Sequence, residues 1–263
     1  MPFTGSHPAA VLPLMRWGLV PSALVIGSMV PDLPYFIGRG ISDHETHTLT
    51  GALTLDVLLG GIAFLVWQAL LAPPTVALAP AGIRARLDPR LPLEPLAHLR
   101  TVRGVVVVAV SLALGALTHV AWDAFTHANG WGVARVDWLA RQYGPLAAHR
   151  WAQYLSGVLG AVAIVVWVAR WYRDTPPRAA VRRITPLSPG TALVVWLGLV
   201  LVALGGAVVG GFRPLLRRGG PDWSEVGVDA VTRAGSAVGV TILVLSIVWV
   251  VHDRMLRARR QVP

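Results

Sequence analysis

Three ionisable residues near the middle of the chain are spaced for one face of a helix. His119, Asp123 and His127 are each four residues from the next, inside the segment GALTHVAWDAFTHANGW. Side chains four residues apart share a face of an α-helix, so the three are predicted to point the same way. Imidazole and carboxylate groups are ligands for zinc and related cations. The spacing therefore predicts a metal site, with a hydrogen-bonded link between helices as the alternative.

One ion cannot readily bind both histidines of this segment. A rise of about 1.5 Å per residue separates His119 and His127 by roughly 12 Å along the axis, whereas metal–nitrogen bonds are about 2.1 Å long. We therefore expect Asp123 to pair with one histidine or to bridge two ions. Further ligands must come from other parts of the chain.

The composition is that of a membrane protein with several spans. Of the 263 residues, 54% are hydrophobic and 14% are charged, and the mean hydropathy is +0.60. Cysteine is absent, which excludes disulfides and thiolate metal ligands. The net charge of +10 comes from arginines in short loops between apolar segments. That distribution indicates topology signals and contact with anionic lipid, and it argues against nucleic-acid binding.

The apolar segments predict an all-α polytopic helical bundle that forms one membrane domain over residues 1–263. Proline interrupts the first 37 residues, and the apolar stretch Leu19 to Val30 is shorter than the about 20 residues that a span requires. Short helices are predicted there, which either re-enter the membrane or cross it. Five long spans are predicted to follow: Leu49–Leu71, Val102–His127, Ala152–Tyr172, Gly190–Phe212 and Val226–Val251.

The arginine content of the loops predicts the orientation. Residues 72–101 and 173–189 and the tail 252–263 are richer in arginine than the loops on the opposite side. They, and with them the C-terminus, are expected to face the cytoplasm. His119, Asp123 and His127 then lie near the outer face of the membrane.

Two residues of the N-terminal segment could also contribute to the site. Asp32 lies in a Pro-Asp-Leu-Pro turn, where capping of the backbone is the simpler interpretation. His7 reaches the same level of the membrane only if the N-terminal segment is re-entrant. A crossing segment would place His7 on the opposite side.

A polar segment at residues 38–48 and the span that follows it supply four more candidates. His44 and His47 could bind a metal or could be ordinary solvated histidines, and Glu45 is predicted to cap the following helix. Asp56 lies about two turns inside the first predicted span. A carboxylate at that depth must pair, bind a cation or be protonated.

Asp229 and Arg233 are one helical turn apart near the start of the fifth span. An ion pair between them is the simplest interpretation. The alternative is that Arg233 binds a substrate phosphate, because a guanidinium group matches the geometry of phosphate.

The opening MPFTGSHPAAVLP, the turn VIGSMVPDLPYF and the stretch HVAWDAFTHANGW resemble a bacterial integral-membrane family of unknown function over the whole chain. That family is similar to the membrane-bound metal-dependent hydrolases of the YdjM type and, more distantly, to zinc-dependent phospholipase C. The YdjM-type histidine segment reads His-Arg-Gly-x-x-His, whereas this chain has His-Glu-Thr-His at residues 44–47, so His44 remains an alternative to His47. The resemblance implies these metal ligands: His7, Asp32, His47, His119, Asp123 and His127.

Together these features predict a membrane-embedded hydrolase of the bacterial cytoplasmic membrane. Its divalent metal would be zinc, with magnesium or manganese as alternatives, and would activate a water molecule. Asp56 or Glu45 would act as a general base or support a ligand. A membrane site predicts contact with lipid and a lipid or isoprenoid substrate, including phosphoesters. Two other classes stay open, namely a lyase or cyclase acting on a prenyl diphosphate and a non-enzymatic transporter or structural protein. The sequence does not indicate the oligomeric state.

Overall fold

The computed structural model describes residues 4–37, 43–91, 93–178, 184–215 and 223–259. Within these ranges every regular element is a helix, except for one two-stranded hairpin. Five helices are long and apolar enough to cross a membrane, which confirms the predicted polytopic bundle. We call them spans 1 to 5: Leu55–Leu78, Val102–Thr126, Ala148–Asp174, Pro189–Phe212 and Val226–Met255.

The chain divides into two compact units. Unit 1 comprises Met1–Phe64 and Pro95–Thr175, and unit 2 comprises Leu65–Glu94 and Pro176–Pro263. Unit 1 contains spans 2 and 3 together with the first ten residues of span 1, Leu55–Phe64. The single membrane domain predicted from the sequence stays a prediction.

The N-terminal region consists of short helices, as predicted. Proline lies in the first turn of several of them, where its missing N–H removes no intrahelical hydrogen bond. In chain order the elements are a 3₁₀ helix Thr4–Ser6, an α-helix Pro8–Val11, a 3₁₀ helix Leu12–Arg16, an α-helix Pro21–Gly27, a 3₁₀ helix Val30–Asp32 and an α-helix Leu33–Ile37.

These short helices form a hairpin that lies along span 2. On its return path, the backbone N–H of Val20 donates to Ser111 Oγ at 3.0 Å, and His119 Nδ1 lies 2.8 Å from the carbonyl oxygen of Ser28. Ser111 is eight residues before His119, so the hairpin extends about 12 Å along the axis of span 2 from the level of His119.

Both ends of this hairpin lie beside the same part of span 2. His7 contacts Asp123 at one end, and Asp32 lies near His119 at the other. A crossing segment would separate these two ends by the length of a span. The chain therefore turns back beside span 2, and His7 and Asp32 lie on the same side, at the candidate site.

Glycine allows the hairpin to approach span 2 closely. A Cβ atom on Gly115 would overlap the carbonyl oxygen of Leu24, and one on Gly27 would overlap the carbonyl oxygen of Leu112. Val20, Ala23, Phe64, Val108 and Leu112 form the hydrophobic core at this contact. The backbones of the hairpin and span 2 are thus in direct contact, which fixes the height of Ser28 relative to His119.

The first span begins and ends later than predicted. The helix Leu49–Leu53 stops at Thr54, whose φ of −124° and ψ of −80° are not helical, and span 1 starts at Leu55. It then passes through a π-helical turn, Trp67–Leu71, and ends at Leu78. Pro73 and Pro74 cannot donate to the preceding turn, and the wider turn accommodates them. Residues 72–78 are therefore helical and not part of a loop. The remainder of the predicted loop 72–101 includes helices Ala81–Arg84 and Glu94–Arg100.

Other boundaries also differ by a few residues. Span 2 ends at Thr126 and His127 is its C-cap, whereas the prediction included His127 in the helix. Span 3 starts at Ala148 and not at Ala152, because a short two-stranded β-hairpin leads directly into it. The elements between the two spans are a helix Asp137–Ala140 and antiparallel strands Gln142–Tyr143 and Leu146–Ala147.

In unit 2, the helices Pro189–Leu215 and Trp223–Arg259 pack along each other. The backbone of Ala234 lies against Gly206, and that of Ala230 lies against Gly210, so small residues allow the close contact. The predicted ion pair between Asp229 and Arg233 is not formed, since none of the ion pairs among the described residues joins these two side chains.

The contact at Gly115 predicts a specific sensitivity to added volume. Gly115→Ala should lower the free energy of unfolding by about 1–3 kcal/mol, because its methyl group would meet backbone atoms that cannot turn aside. Gly61→Ala is the matched control, since a Cβ there meets no atom within 4 Å. Thermal unfolding of both variants in detergent gives the comparison. An equal Tm for the two variants would contradict the close contact.

Candidate metal centre

Four side chains of unit 1 direct one ligand atom each toward a common point. They are Asp32, His47, His119 and Asp123, and the four atoms all lie within 4.8 Å of one another. Asp32 ends a short 3₁₀ helix of the hairpin, and His47 follows the helix Asp43–Thr46. His119 and Asp123 lie one turn apart on span 2. Three separate segments of the chain thus meet here.

The spacing of these atoms fits the ligands of a small cation. His47 Nε2 lies 3.4 Å from Asp32 Oδ1 and 3.5 Å from Asp123 Oδ2. His119 Nε2 lies 3.6 Å from Asp32 Oδ1 and 3.3 Å from Asp123 Oδ2. Four ligands at about 2.1 Å from a tetrahedral ion are roughly 3.4 Å apart. Direct charge-assisted hydrogen bonds would be shorter, at about 2.7–2.9 Å.

The hairpin fixes the tautomer of His119. Its Nδ1 atom lies 2.8 Å from the carbonyl oxygen of Ser28, which can only accept a hydrogen bond. Nδ1 therefore carries a proton, and when the ring is neutral its lone pair is on Nε2, which faces the centre. A backbone carbonyl in this role is typical of histidines that bind metals.

Thr46 fixes the tautomer of His47 in a similar way. Its hydroxyl donates to the carbonyl oxygen of Pro31 at 2.9 Å and lies 3.1 Å from His47 Nδ1. A hydroxyl has a single proton to donate, so Thr46 accepts from Nδ1. The neutral His47 ring then also presents its Nε2 lone pair to the centre.

When both histidine rings are neutral, four hydrogen-bond acceptors face one another inside the protein. His119 is fully buried, and Asp32 and Asp123 are 2% and 8% exposed. Among the described residues, Asp32 Oδ1 and His119 Nε2 have no hydrogen-bond partner. Acceptors cannot satisfy one another, and buried unpaired polar atoms are costly. A cation among them would satisfy all four.

In the metal-free protein, a proton on His47 compensates part of the negative charge of the two carboxylates. Burial raises the pKa of Asp32, but polar contacts with His119 and His47 outweigh burial and hold this pKa below its ordinary range. Burial lowers the pKa of His47, yet Asp123 and Asp32 together raise it to about 9. His47 therefore holds an extra proton at neutral pH, which a metal ion must displace when it binds.

The second carboxylate oxygen of Asp123 has its own pair of histidines. His7 Nε2 lies 3.2 Å from Asp123 Oδ1, and His127 Nδ1 lies 3.3 Å from the same atom. The ring of His7 also stacks on that of His119, with centroids 3.9 Å apart. His127 Nε2 is 2.9 Å from the side-chain amide of Gln153 on span 3. The structure thus gathers both histidines around Asp123, outside the group of four, and their roles as ligands stay predictions.

A cavity of about 510 Å³ opens directly onto the centre. Asp32, His47 and Asp123 line it, whereas the fully buried His119 does not. The cavity therefore meets the four ligand atoms on the side away from His119. Its other walls are formed by Tyr35, Thr48, Leu49, Val120, Ala124, His127, Asn129, Gly130 and Trp131.

Several predicted residues are not part of this centre. Asp56 is buried on span 1, neither of its carboxylate oxygens has a partner among the described residues, and it does not line the cavity. Glu45 is exposed and is not the predicted helix cap, since Thr48 accepts from the N–H of Gly51 in that role. The side chain of His44 lies outside the described part of the chain. Arg233 belongs to unit 2, and its predicted role in substrate binding stays a prediction.

Sequence reasoning missed the residues that orient the ligands. Thr4 donates to Asp32 Oδ2, Thr46 holds His47, and Gln153 contacts His127. Thr46 is adjacent to His47, so a hydroxyl beside a candidate ligand was an available signal. Ser28 acts through its carbonyl group, which every residue possesses, so no signal in the sequence could identify it.

The fold and the centre define a helical membrane protein with a candidate metal site. The chain belongs to the family described as domain of unknown function (DUF4184), whose family model matches residues 1–252. This membership confirms the predicted relation to a family of unknown function. Comparisons with the curated proteins and with the solved structures found no significant match.

The role of Thr46 can be tested without disturbing any ligand. Thr46→Val removes the acceptor that orients His47 and should weaken metal binding by about 10–100-fold, as is usual for partners of metal ligands. Thr54→Val is the control, because the Thr54 hydroxyl donates only to the backbone of its own helix, at Thr50. Titration of the metal-free proteins with Zn²⁺ compares the two. Equal affinities would show that Thr46 does not control His47.

Proposed function

We propose that this protein is a membrane-embedded hydrolase that depends on a divalent metal ion. The observation that carries the proposal is the convergence of four buried acceptor atoms beside an open cavity. A site that only joined helices would pair donors with acceptors and would need no cavity. The resemblance to YdjM-type hydrolases and zinc-dependent phospholipase C supports the same chemistry.

The ligand set favours zinc. Two imidazole nitrogens and two carboxylate oxygens form a common tetrahedral zinc environment, whereas magnesium prefers six oxygen ligands. Manganese remains an alternative because it also accepts mixed nitrogen and oxygen ligands. Asp32 and Asp123 together carry two negative charges, so a divalent ion makes the centre neutral. That neutrality supports a stable site at membrane depth.

When bound, such an ion lowers the pKa of water to near neutrality and polarises the bond that is cleaved. The surrounding residues have distinct tasks. His119 would hold the ion from the buried side, while Asp32, His47 and Asp123 would hold it at the wall of the cavity. His7 and His127 orient Asp123 through its second oxygen. The substrate then approaches from the side of the cavity.

Hydrolysis also requires a group that moves a proton. The oxygen of water bonds to the electrophilic atom, the bond to the leaving group breaks, and one proton of the water passes to that group. Besides the four proposed ligands, the titratable side chains of the cavity wall are Tyr35 and His127. These two are better positioned for proton transfer than Asp56 and Glu45, which do not line the cavity.

The metal requirement gives the first test. His119→Ala and Asp123→Ala should lose the ion while the protein still inserts into membranes and unfolds cooperatively, because each removes one of four ligands. His98→Ala is the control, since this histidine of the helix Glu94–Arg100 has no place in the centre. Elemental analysis of the detergent-purified proteins measures the ion. Unchanged metal content in both ligand variants would contradict the proposal.

Turnover in water enriched in ¹⁸O gives the second test, with phospholipids and prenyl diphosphates supplied in nanodiscs. We expect ¹⁸O in a product of the wild-type protein, and at least about a 100-fold loss of that signal in His119→Ala. Release of diphosphate without ¹⁸O would instead identify a lyase or cyclase. Movement of a substrate across liposomes without turnover would identify a transporter.

A further inference from the structure

The residues that line the cavity are of two chemically different kinds. Leu49 and Val120 contribute an apolar wall, while Tyr35, Asn129 and Trp131 contribute side chains that can donate hydrogen bonds. The substrate that fits such a wall is amphiphilic. A volume of about 510 Å³ suits a polar group with a short connecting segment and is too small for a whole membrane lipid.

The apolar wall continues beyond the cavity. Leu49 is 65% exposed and Leu53, one turn later on the same helix, is 51% exposed. Residues four apart share a face, so the two side chains form a continuous strip that begins inside the cavity and leaves it. A hydrocarbon chain attached to a group in the cavity can lie against this strip.

A positive charge lies next to Trp131. The guanidinium carbon of Arg135 lies 4.5 Å from the centre of the Trp131 ring, and Trp131 lines the cavity. Phe125 packs edge-on against the same ring, which fixes the position of Trp131. Arg135 is exposed, and none of the ion pairs among the described residues includes it. Its charge is therefore available to an anionic ligand.

Charge balance identifies the class of that ligand. Asp32 and Asp123 neutralise a divalent ion, so the loaded centre does not repel an anion. A neutral ester could coordinate the ion, but it has no negative charge to pair with Arg135. A phosphate group has several charged oxygens and can interact with the ion and with a guanidinium group at the same time.

We propose that the cavity binds the phosphate group of an amphiphile between the metal centre and Arg135, with the hydrocarbon chain against Leu49 and Leu53. This inference rests on the proposed metal centre and specifies its substrate class. Arg135 acts as a specificity-determining residue, and Trp131 holds it beside the cavity.

The test uses full-length protein loaded with paramagnetic Co²⁺ in nanodiscs of a neutral lipid. Enhanced ³¹P relaxation then reports only phosphate that lies close to the centre. The probes are inorganic phosphate and dodecyl phosphate, each measured against empty nanodiscs. Wild-type protein should enhance the ³¹P relaxation of both probes. It should bind dodecyl phosphate at least about tenfold more tightly than inorganic phosphate, because the dodecyl chain contributes apolar contact.

Two variants separate the contribution of the Arg135 guanidinium group to binding from that of the apolar strip. Arg135→Gln should lower the affinity for both probes by about tenfold, whereas Leu49→Ser should lower the affinity for dodecyl phosphate alone. Arg150→Gln is the matched control, because Arg150 is an exposed arginine of span 3 that does not line the cavity. Its affinities should equal those of the wild type.

The outcomes distinguish the two proposals. Elemental analysis before any phosphate is added shows whether cobalt has loaded, and failure to load contradicts the metal centre and this proposal together. A loaded protein without enhanced ³¹P relaxation, or with equal affinities in Arg135→Gln and wild type, contradicts only the phosphate proposal. Equal binding of the two probes, unaffected by Leu49→Ser, identifies free phosphate and not an amphiphile as the ligand.

Discussion

The fold depends on the burial of two carboxylates, Asp32 and Asp123, in the interior of a membrane protein. Ionised carboxylates at such a place are strongly unfavourable unless positive charge compensates them. His47 and His119 surround them at 3.3–3.6 Å, and these distances suit ligands of a shared cation better than hydrogen-bonded pairs. The compensating charge, whether a proton or a metal ion, is therefore a structural requirement as well as a chemical one.

The surrounding architecture serves this requirement. Gly27 and Gly115 let the N-terminal hairpin touch span 2, which brings the carbonyl of Ser28 to His119 and places Asp32 opposite it. Thr46 orients His47 from one side, and His7 and His127 hold the free oxygen of Asp123 from the other. Each ligand is thus positioned by a second residue, which is how proteins fix metal ligands before the metal arrives. An open cavity lies on one side of this centre.

Hydropathy predicted the number of spans because a hydrocarbon environment imposes a minimum length on every apolar helix. It could not predict the break at Thr54 or the extension through Pro73 and Pro74, which depend on local backbone geometry. The spacing of His119 and Asp123 indicated their shared direction, since helical periodicity is visible in a sequence. Asp32 was recognisable only by resemblance, because an aspartate in a turn usually caps the backbone. Gln153 and the carbonyl of Ser28 were not predictable, since their roles arise from contacts between distant segments.

The N-terminal hairpin determines when the centre can form during synthesis. Val20 and Ser111, which join the hairpin to span 2, are 91 residues apart in the chain. The hairpin therefore leaves the ribosome well before the helix on which it docks, and until then Asp32 and His7 lack their partners on span 2. The four side chains of the centre can come together only after residues 119–123 have been synthesised, when three of the five spans have still to be made.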